Sequence, residues 1–224
     1  MNRARAAIFD VDGTLTDTNH LHVVAWWEAF RQAGHILPMP DIHRAVGLGS
    51  GDLIERLLTA DRDREQDAVI SAAHKTLYGT YYDRIPAFEG AGDLLRALAE
   101  RGWSVVLATS ASGPELEALR RAVDADDAIG DTASSDDVAE GKPSPEPVQL
   151  ACELAGVGAD QAVFVGDTVW DMEAAARAGV RSVAVLSGGI PRADLELAGA
   201  DAVYQDVAEL LSRLDDSPFG RTVS

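Results

Sequence analysis

Short apolar runs that end in polar residues alternate along the chain with longer stretches whose apolar positions recur every three or four residues. The runs Ala6 to Asp10, Trp103 to Thr109, Ala162 to Asp167 and Val180 to Leu186 read as buried strands, with a weaker one at Ala202 to Tyr204. Residues 90–101 put apolar side chains at i, i+3 and i+4 before Gly102, which predicts a helix closed by a glycine. Comparable segments lie at 114–123, 145–156, 171–178 and 206–214. Strands alternating with helices predict an α/β fold, a parallel sheet covered on both faces that receives ligands at the carboxyl ends of its strands.

Between Asp17 and about Phe88 the alternation stops and the pattern is helical. Residues 19–34 form one amphipathic stretch ending at Gly34, and residues 64–84 form another. Gly47 to Gly51 reads as a flexible turn before a helix starting at Asp52. The chain thus divides into a discontinuous core at 1–16 and 88–214, an inserted all-helical module at 17–87, and a tail at 215–224. That tail holds Pro218, Gly220 and few apolar groups and is expected to be loose.

Composition narrows the function classes. The 224 residues are 46% hydrophobic and 25% charged, as in an ordinary soluble globular protein. No apolar stretch reaches the roughly 18 to 20 residues of a membrane helix, and Met-Asn-Arg-Ala-Arg runs straight into a strand, so a cytoplasmic location is expected. Cys152 is the single cysteine, which excludes an intrachain disulfide and a cysteine metal cluster. A net charge of -18 argues against nucleic acid and anionic membrane as partners. An anionic substrate would be attracted only locally, by a metal, a lysine or backbone N–H groups at helix starts.

The candidate chemistry begins at residues 8 to 18, Ile-Phe-Asp-Val-Asp-Gly-Thr-Leu-Thr-Asp-Thr. On a strand, Asp10 and Asp12 at i and i+2 would aim both carboxylates at one spot, and such a pair requires a metal or a lysine to offset its charge. Lys142 stands in Glu-Gly-Lys-Pro-Ser-Pro and is one of only two lysines among 19 basic residues. Asp167 and Asp171 stand in Val-Phe-Val-Gly-Asp-Thr-Val-Trp-Asp, and Thr109 ends a strand-like run.

The ordered set Asp-x-Asp, Thr, Lys and Gly-Asp-x-x-x-Asp resembles the haloacid dehalogenase superfamily across roughly the whole chain. The resemblance implies a Rossmann-like core with an inserted helical C1 cap, and a Mg²⁺-dependent phosphoryl transfer. Asp10 would be the nucleophile, giving an aspartyl-phosphate, and Asp12 the general acid and base, its backbone carbonyl facing the metal. Asp167 would hold Mg²⁺ together with Asp10, and Asp171 would orient Lys142 or a metal-bound water. Thr109 and the N–H groups of Ser110 and Ala111 would bind phosphoryl oxygens, with Lys142 placing positive charge beside them.

The segment Thr16-Asp17-Thr18, His22 and Trp26 resembles beta-phosphoglucomutases, which makes His22 a candidate to bind substrate and assist Asp12. Trp26 and Trp27 read as core, and Arg44, Arg56, His43 and His74 as helix residues that could reach a substrate carboxylate or sugar hydroxyl. Three departures separate the chain from a mutase: Thr14 where mutases carry valine, Gly-Asp-Thr-Val-Trp-Asp as the last motif, and no arginine in the turn at 47–51. Trp170 also stands where the family often has a polar residue. The pattern fits a phosphatase of a small phosphorylated metabolite, of phosphoglycolate or sugar phosphate type. A mutase-like transfer is the alternative, followed by a non-catalytic binder. A phosphonate hydrolase would need a Schiff-base lysine, for which Lys75 is the one candidate.

Overall fold

The computed structural model describes residues 4–220. In chain order the elements are β1 (Ala6–Phe9), α1 (Asn19–Gln32), α2 (Met39–Ala45), α3 (Ser50–Leu57), α4 (Gln66–Gly79), α5 (Ala91–Glu100), β2 (Ser104–Ala108), α6 (Gly113–Val123) and β3 (Ile129–Ala133). They continue with α7 (Glu146–Ala155), β4 (Ala162–Gly166), α8 (Val169–Ala178), β5 (Arg181–Val185), α9 (Arg192–Leu197), β6 (Ala202–Tyr204) and α10 (Val207–Ser212). All strand pairings are parallel and the sheet order is β3-β2-β1-β4-β5-β6.

β1 lies at the centre because every one of its residues is apolar and fully buried. Its side chains alternate between the two faces. Ala7 and Phe9 join Val105, Leu107, Val163 and Val165 in one core, packed with α5, α6 and α10. Ala6 and Ile8 join Val106, Phe164 and Met172 in the other, packed with α7, α8 and α9. Cys152 lies in this second core, buried as a small apolar residue. None of the helices among the described residues is long and apolar enough to cross a membrane.

β3 did not stand out in the sequence because it is an edge strand: only Ile129 and Ala133 are buried, while Gly130 and Asp131 face solvent. α2, with a proline in its first turn and only Ile42 and Ala45 buried, left no periodic signal either. α3 starts at Ser50 rather than Asp52, so Gly51 lies inside the helix and not in the turn.

Helices α1 to α4 share a third apolar cluster, built on Trp26, Phe30, Ile42, Leu53, Ile54 and Ile70. Trp170 of α8 enters this cluster, donates its indole N–H to the Arg44 carbonyl at 3.2 Å, and lies under the Arg56 guanidinium. The tryptophan that departs from the usual motif therefore ties the helical insertion to the sheet layer.

The described part of the tail is packed, not loose. Leu214–Asp216 forms a turn of 3₁₀ helix, Ser217 is fully buried, and Phe219 stacks on Phe9 at 6.4 Å and meets Trp103 edge-on at 5.1 Å. One aromatic residue outweighs Pro218 and Gly220 here, because it covers the end of a core face. Residues 1–3 of the expected core and 221–224 of the expected tail lie outside the described residues.

Two substitutions test these contacts. Phe219→Ala should lower the free energy of unfolding by about 3 kcal/mol in urea denaturation; a change within about 0.5 kcal/mol would mean the tail adds little. Thr168 accepts the Asp171 N–H at 3.2 Å and caps α8. Thr168→Ala should therefore cost about 1 to 2 kcal/mol in the same assay.

Candidate active site

Connections from β1 run toward β2, and those from β4 run toward β5, so a crevice opens between β1 and β4 at their carboxyl ends. Asp10 follows β1, Thr109 follows β2 and Asp167 follows β4. The sequence therefore delivers its polar strand-end residues to one place. After β1 the chain turns sharply: Gly13 adopts φ +76, Leu15 and Thr16 donate backbone N–H groups to the Val11 carbonyl, and Ser187 Oγ donates to the Gly13 carbonyl at 2.7 Å.

Asp10, Asp167 and Asp171 are buried and bring carboxylate oxygens within 4.8 Å of one another. Lys142, itself 4% exposed, reaches Asp10 Oδ1 at 2.5 Å and Asp171 Oδ1 at 2.8 Å. Asp167 accepts from Thr14 Oγ1 at 2.9 Å on one oxygen and from Asn19 Nδ2 at 2.7 Å on the other. Asp171 Oδ2 accepts from the Thr168 hydroxyl at 2.6 Å and from its N–H at 3.0 Å.

Electrostatics follow from this crowding. Burial pushes Asp10 up to about 7; Lys142 pulls against it, while Asp171 and Asp12 add to the rise. Burial, then Asp10 and Asp171, also raise Asp167 well above the ordinary carboxylate range. Burial opposes the charge on Lys142, yet Asp10 and Asp171 outweigh it and hold the ammonium above its usual value. The Asp167 corner leaves no room for a side chain on the backbone facing it: a Cβ on Gly188 would stand 1.7 Å from Asp167 Oδ2.

The Asp12 carboxylate does not share the Asp10 cluster. The strand ends at Phe9, so the strict alternation expected of an Asp-x-Asp pair lapses in the turn. Asp12 Oδ1 instead accepts from Thr18 Oγ1 at 2.6 Å, from His22 Nε2 at 3.2 Å and from Tyr78 OH at 3.4 Å. Burial would raise Asp12, but the charge and hydrogen bond of His22, with Thr18, hold it below its ordinary value. His22, which burial would lower, is raised by Asp12 and then by Glu115.

His22 Nδ1 meets His74 Nε2 at 3.2 Å, and His74 stacks flat on Trp26 at 3.9 Å. His22 stacks on Tyr78 at 3.8 Å. These rings come from α1 and α4, so the insertion supplies one wall of the site.

A cavity of about 410 Å³ joins the two clusters. Asp10, Asp12, His22, Thr109, Ser110 and Lys142 line it. Ala111 does not: it is 1% exposed and its N–H donates to Thr109 Oγ1 at 3.1 Å. Its expected role at a phosphoryl oxygen is thus not supported by this geometry, because a helix-entry turn absorbs the donor. That bond leaves the Thr109 hydroxyl proton to point elsewhere.

The sequence had offered several other polar groups for substrate. His43 Nε2 pairs with the Gly188 carbonyl at 2.8 Å, Arg56 covers Trp170, and Arg44 is exposed away from the cavity lining. His74 and Lys75 do line it, His74 buried and Lys75 exposed. Sequence reasoning missed Asn19, Thr18, Tyr78 and Glu115 as site residues. Asn19, at the start of α1, had a faint signal as a polar residue beside the Thr-Asp-Thr segment. Tyr78 and Glu115 had none, since only tertiary folding brings them to Asp12.

Residues 4–179 match the haloacid dehalogenase-like hydrolase family. A phosphoglycolate phosphatase of Rhodospirillum rubrum is 32% identical over 216 residues, covering 92% of this chain and 89% of the relative. Among solved structures, a hydrolase from Pseudomonas syringae superposes with a TM-score of 0.90 at 35% identity, over 95% of this chain and 98% of that one. CbbY from Rhodobacter sphaeroides in complex with phosphate gives a TM-score of 0.76 at 28% identity, over 93% and 96%. With an α/β sheet of this order and these relatives along nearly its whole length, the chain belongs to the haloacid dehalogenase-like hydrolases and is a phosphatase of that family.

Proposed function

We propose that the enzyme is a Mg²⁺-dependent phosphatase acting on a small phosphorylated metabolite through an aspartyl-phosphate on Asp10. The observation that carries the reading is the charge balance of the buried cluster. With all three ionised, Asp10, Asp167 and Asp171 would carry two negative charges beyond what the one ammonium, Lys142, offsets, and the raised Asp10 and Asp167 show the cluster short of positive charge. An all-oxygen donor set with that excess suits a hard divalent cation. Asn19 Oδ1, buried with no hydrogen-bond partner among the described residues, adds an acceptor that a metal-bound water would satisfy.

Asp10 and Asp167 would hold the ion, with the Asp12 backbone carbonyl; when bound, it neutralises phosphoryl charge and lets the Asp10 carboxylate approach an anion. Lys142 favours the ionised form of Asp10 against burial and orients it, and Asp171, fixed by Thr168, orients Lys142. Thr109 accepts the Ala111 N–H and so turns its own proton toward a phosphoryl oxygen. Asp12 and His22 hold one proton between them, which protonates the leaving oxygen. Asp12 then accepts a proton from the water that hydrolyses the phosphoaspartate.

We assign residues 17–87 as a cap over a core formed by 1–16 and 88–214. Support comes from the cavity, whose walls include His22 and His74 on one side and Thr109 and Lys142 on the other. No arginine lines it among the described residues, so the cavity lacks a bidentate clamp for a second phosphate that would favour transfer to a bisphosphate over water. The curated relatives at this similarity are phosphoglycolate phosphatases, and a variant of CbbY has been solved with a xylulose bisphosphate, which keeps carboxylate and sugar phosphates as candidate substrates.

Phosphate release from a panel of phosphorylated metabolites should require Mg²⁺ and fall roughly a thousandfold or more in Asp10→Asn. Release that survives this substitution would remove Asp10 as nucleophile. Saturating Mg²⁺ should also raise the thermal midpoint, about 2.7 kcal/mol of stabilisation at a hundred times its dissociation constant. Asp167→Asn should abolish that shift; an undiminished shift would place the ion elsewhere.

A further inference from the structure

The phosphoryl half of the cavity and the leaving-group half differ in charge. Around Asp10 one lysine answers three carboxylates, whereas around Asp12 the balance is struck by histidine. Glu115, in the first turn of α6, lies in this second half. Its Oε1 is 3.8 Å from His22 Nε2, its side chain is 16% exposed, and it lies within 4.8 Å of the Asp12 and His22 ligand atoms. Neither carboxyl oxygen carries a hydrogen bond from another described residue. Burial pushes the group up to about 7, against the pull of His22.

Glu115 is thus a carboxyl facing a cavity, close to the residue that would hand a proton to the leaving oxygen. An ester oxygen in hydrogen-bond reach of Asp12 sets the rest of the leaving group beside it. In a carboxylated ester such as phosphoglycolate, the carboxyl carbon is two covalent bonds from that oxygen, roughly 2.5 Å away. Its charge would fall beside Asp12, and beside Glu115 whenever that carboxyl is ionised, with one imidazole shared between them. Lys75 is the remaining cation on the cavity wall, and its charge acts on Glu115 itself. A hydroxyl at the same place meets no repulsion, because a carboxyl accepts from it when ionised and donates to it when neutral.

Resting on the phosphatase reading above, we propose that Glu115 is a specificity-determining residue that selects esters with an uncharged, hydroxylated leaving group, polyol or sugar phosphates, over carboxylated ones. The assignment differs from what the phosphoglycolate phosphatase relatives act on, and it follows from this chain's own side chain at position 115.

The test compares matched pairs that differ only in a terminal CH₂OH or COO⁻: hydroxyethyl phosphate against phosphoglycolate, and glycerol phosphate against phosphoglycerate. A nitrophenyl phosphate control monitors the chemistry. The native enzyme should favour the hydroxyl member of each pair by about tenfold or more in kcat/KM. Glu115→Gln should shrink that ratio by about tenfold, mainly through gain on the carboxylated member, and Glu115→Leu should lose activity on the hydroxyl member. The within-pair ratio is insensitive to how much of a variant folds. Equal or better use of phosphoglycolate by the native enzyme, an unchanged ratio in Glu115→Gln, or Asp10-dependent turnover of the control with neither pair used would each overturn the assignment. Silence on the control as well would instead remove the phosphatase reading on which it rests.

Discussion

Carboxylates forced together in a dry place are the constraint around which this molecule is organised. Asp10, Asp167 and Asp171 each come from the carboxyl end of a central strand or the helix that follows it, and burial there works against the charge on Asp10 and Asp167. Several nearby donors are spent on them. Lys142 crosses from a loop to touch two, Thr14 and Asn19 hold a third in place, and Thr168 serves both as helix cap and as partner to Asp171. Backbone at Gly13 and Gly188 approaches so closely that any side chain would collide with Asp167 or Asn19. Local structure is thus bent to the needs of charge.

The two aspartates of the first motif have different partners because the strand stops before them. Had β1 continued through Asp12, both carboxylates would have joined one cluster and raised its charge further. The tight turn after Val11 lets Asp12 turn to His22, Thr18 and Tyr78, all supplied by the helical insertion or its approach. Helices α1 to α4 are held against the sheet layer by Trp170, so the wall around Asp12 and the carboxylate floor are parts of one packed unit.

What the sequence made legible follows the same physics. Asp10, Thr109 and Asp167 could be read because strand ends are marked by apolar runs, Lys142 because it is one of two lysines and precedes Pro143, and Asp171 because it sits one helical turn beyond Asp167. His22 was readable only through resemblance to a family segment. Edge strand β3 escaped because only two of its five residues are buried, and α2 because seven residues give too short a period to detect. Phe219 escaped for the opposite reason, a lone aromatic amid turn residues whose burial depends on Phe9 and Trp103 far upstream. Glu115 and Tyr78 reach Asp12 across long stretches of chain, and no local pattern encodes such a meeting.

Thr14 shows how one atom can couple these levels. Its hydroxyl donates to Asp167 and lies 3.3 Å from Asp10 Oδ2, so it spans the two carboxylates that face the proposed ion. Valine has a similar shape and would fill the same space, but it would leave an Asp167 oxygen buried without its donor. The threonine therefore lowers the cost of ionising Asp167 before any cation or substrate arrives. In a chain whose net charge of -18 repels phosphate esters at a distance, preparation of this kind matters. Attraction must come entirely from the last few ångströms, where the fixed donors and Lys142 act without solvent between them.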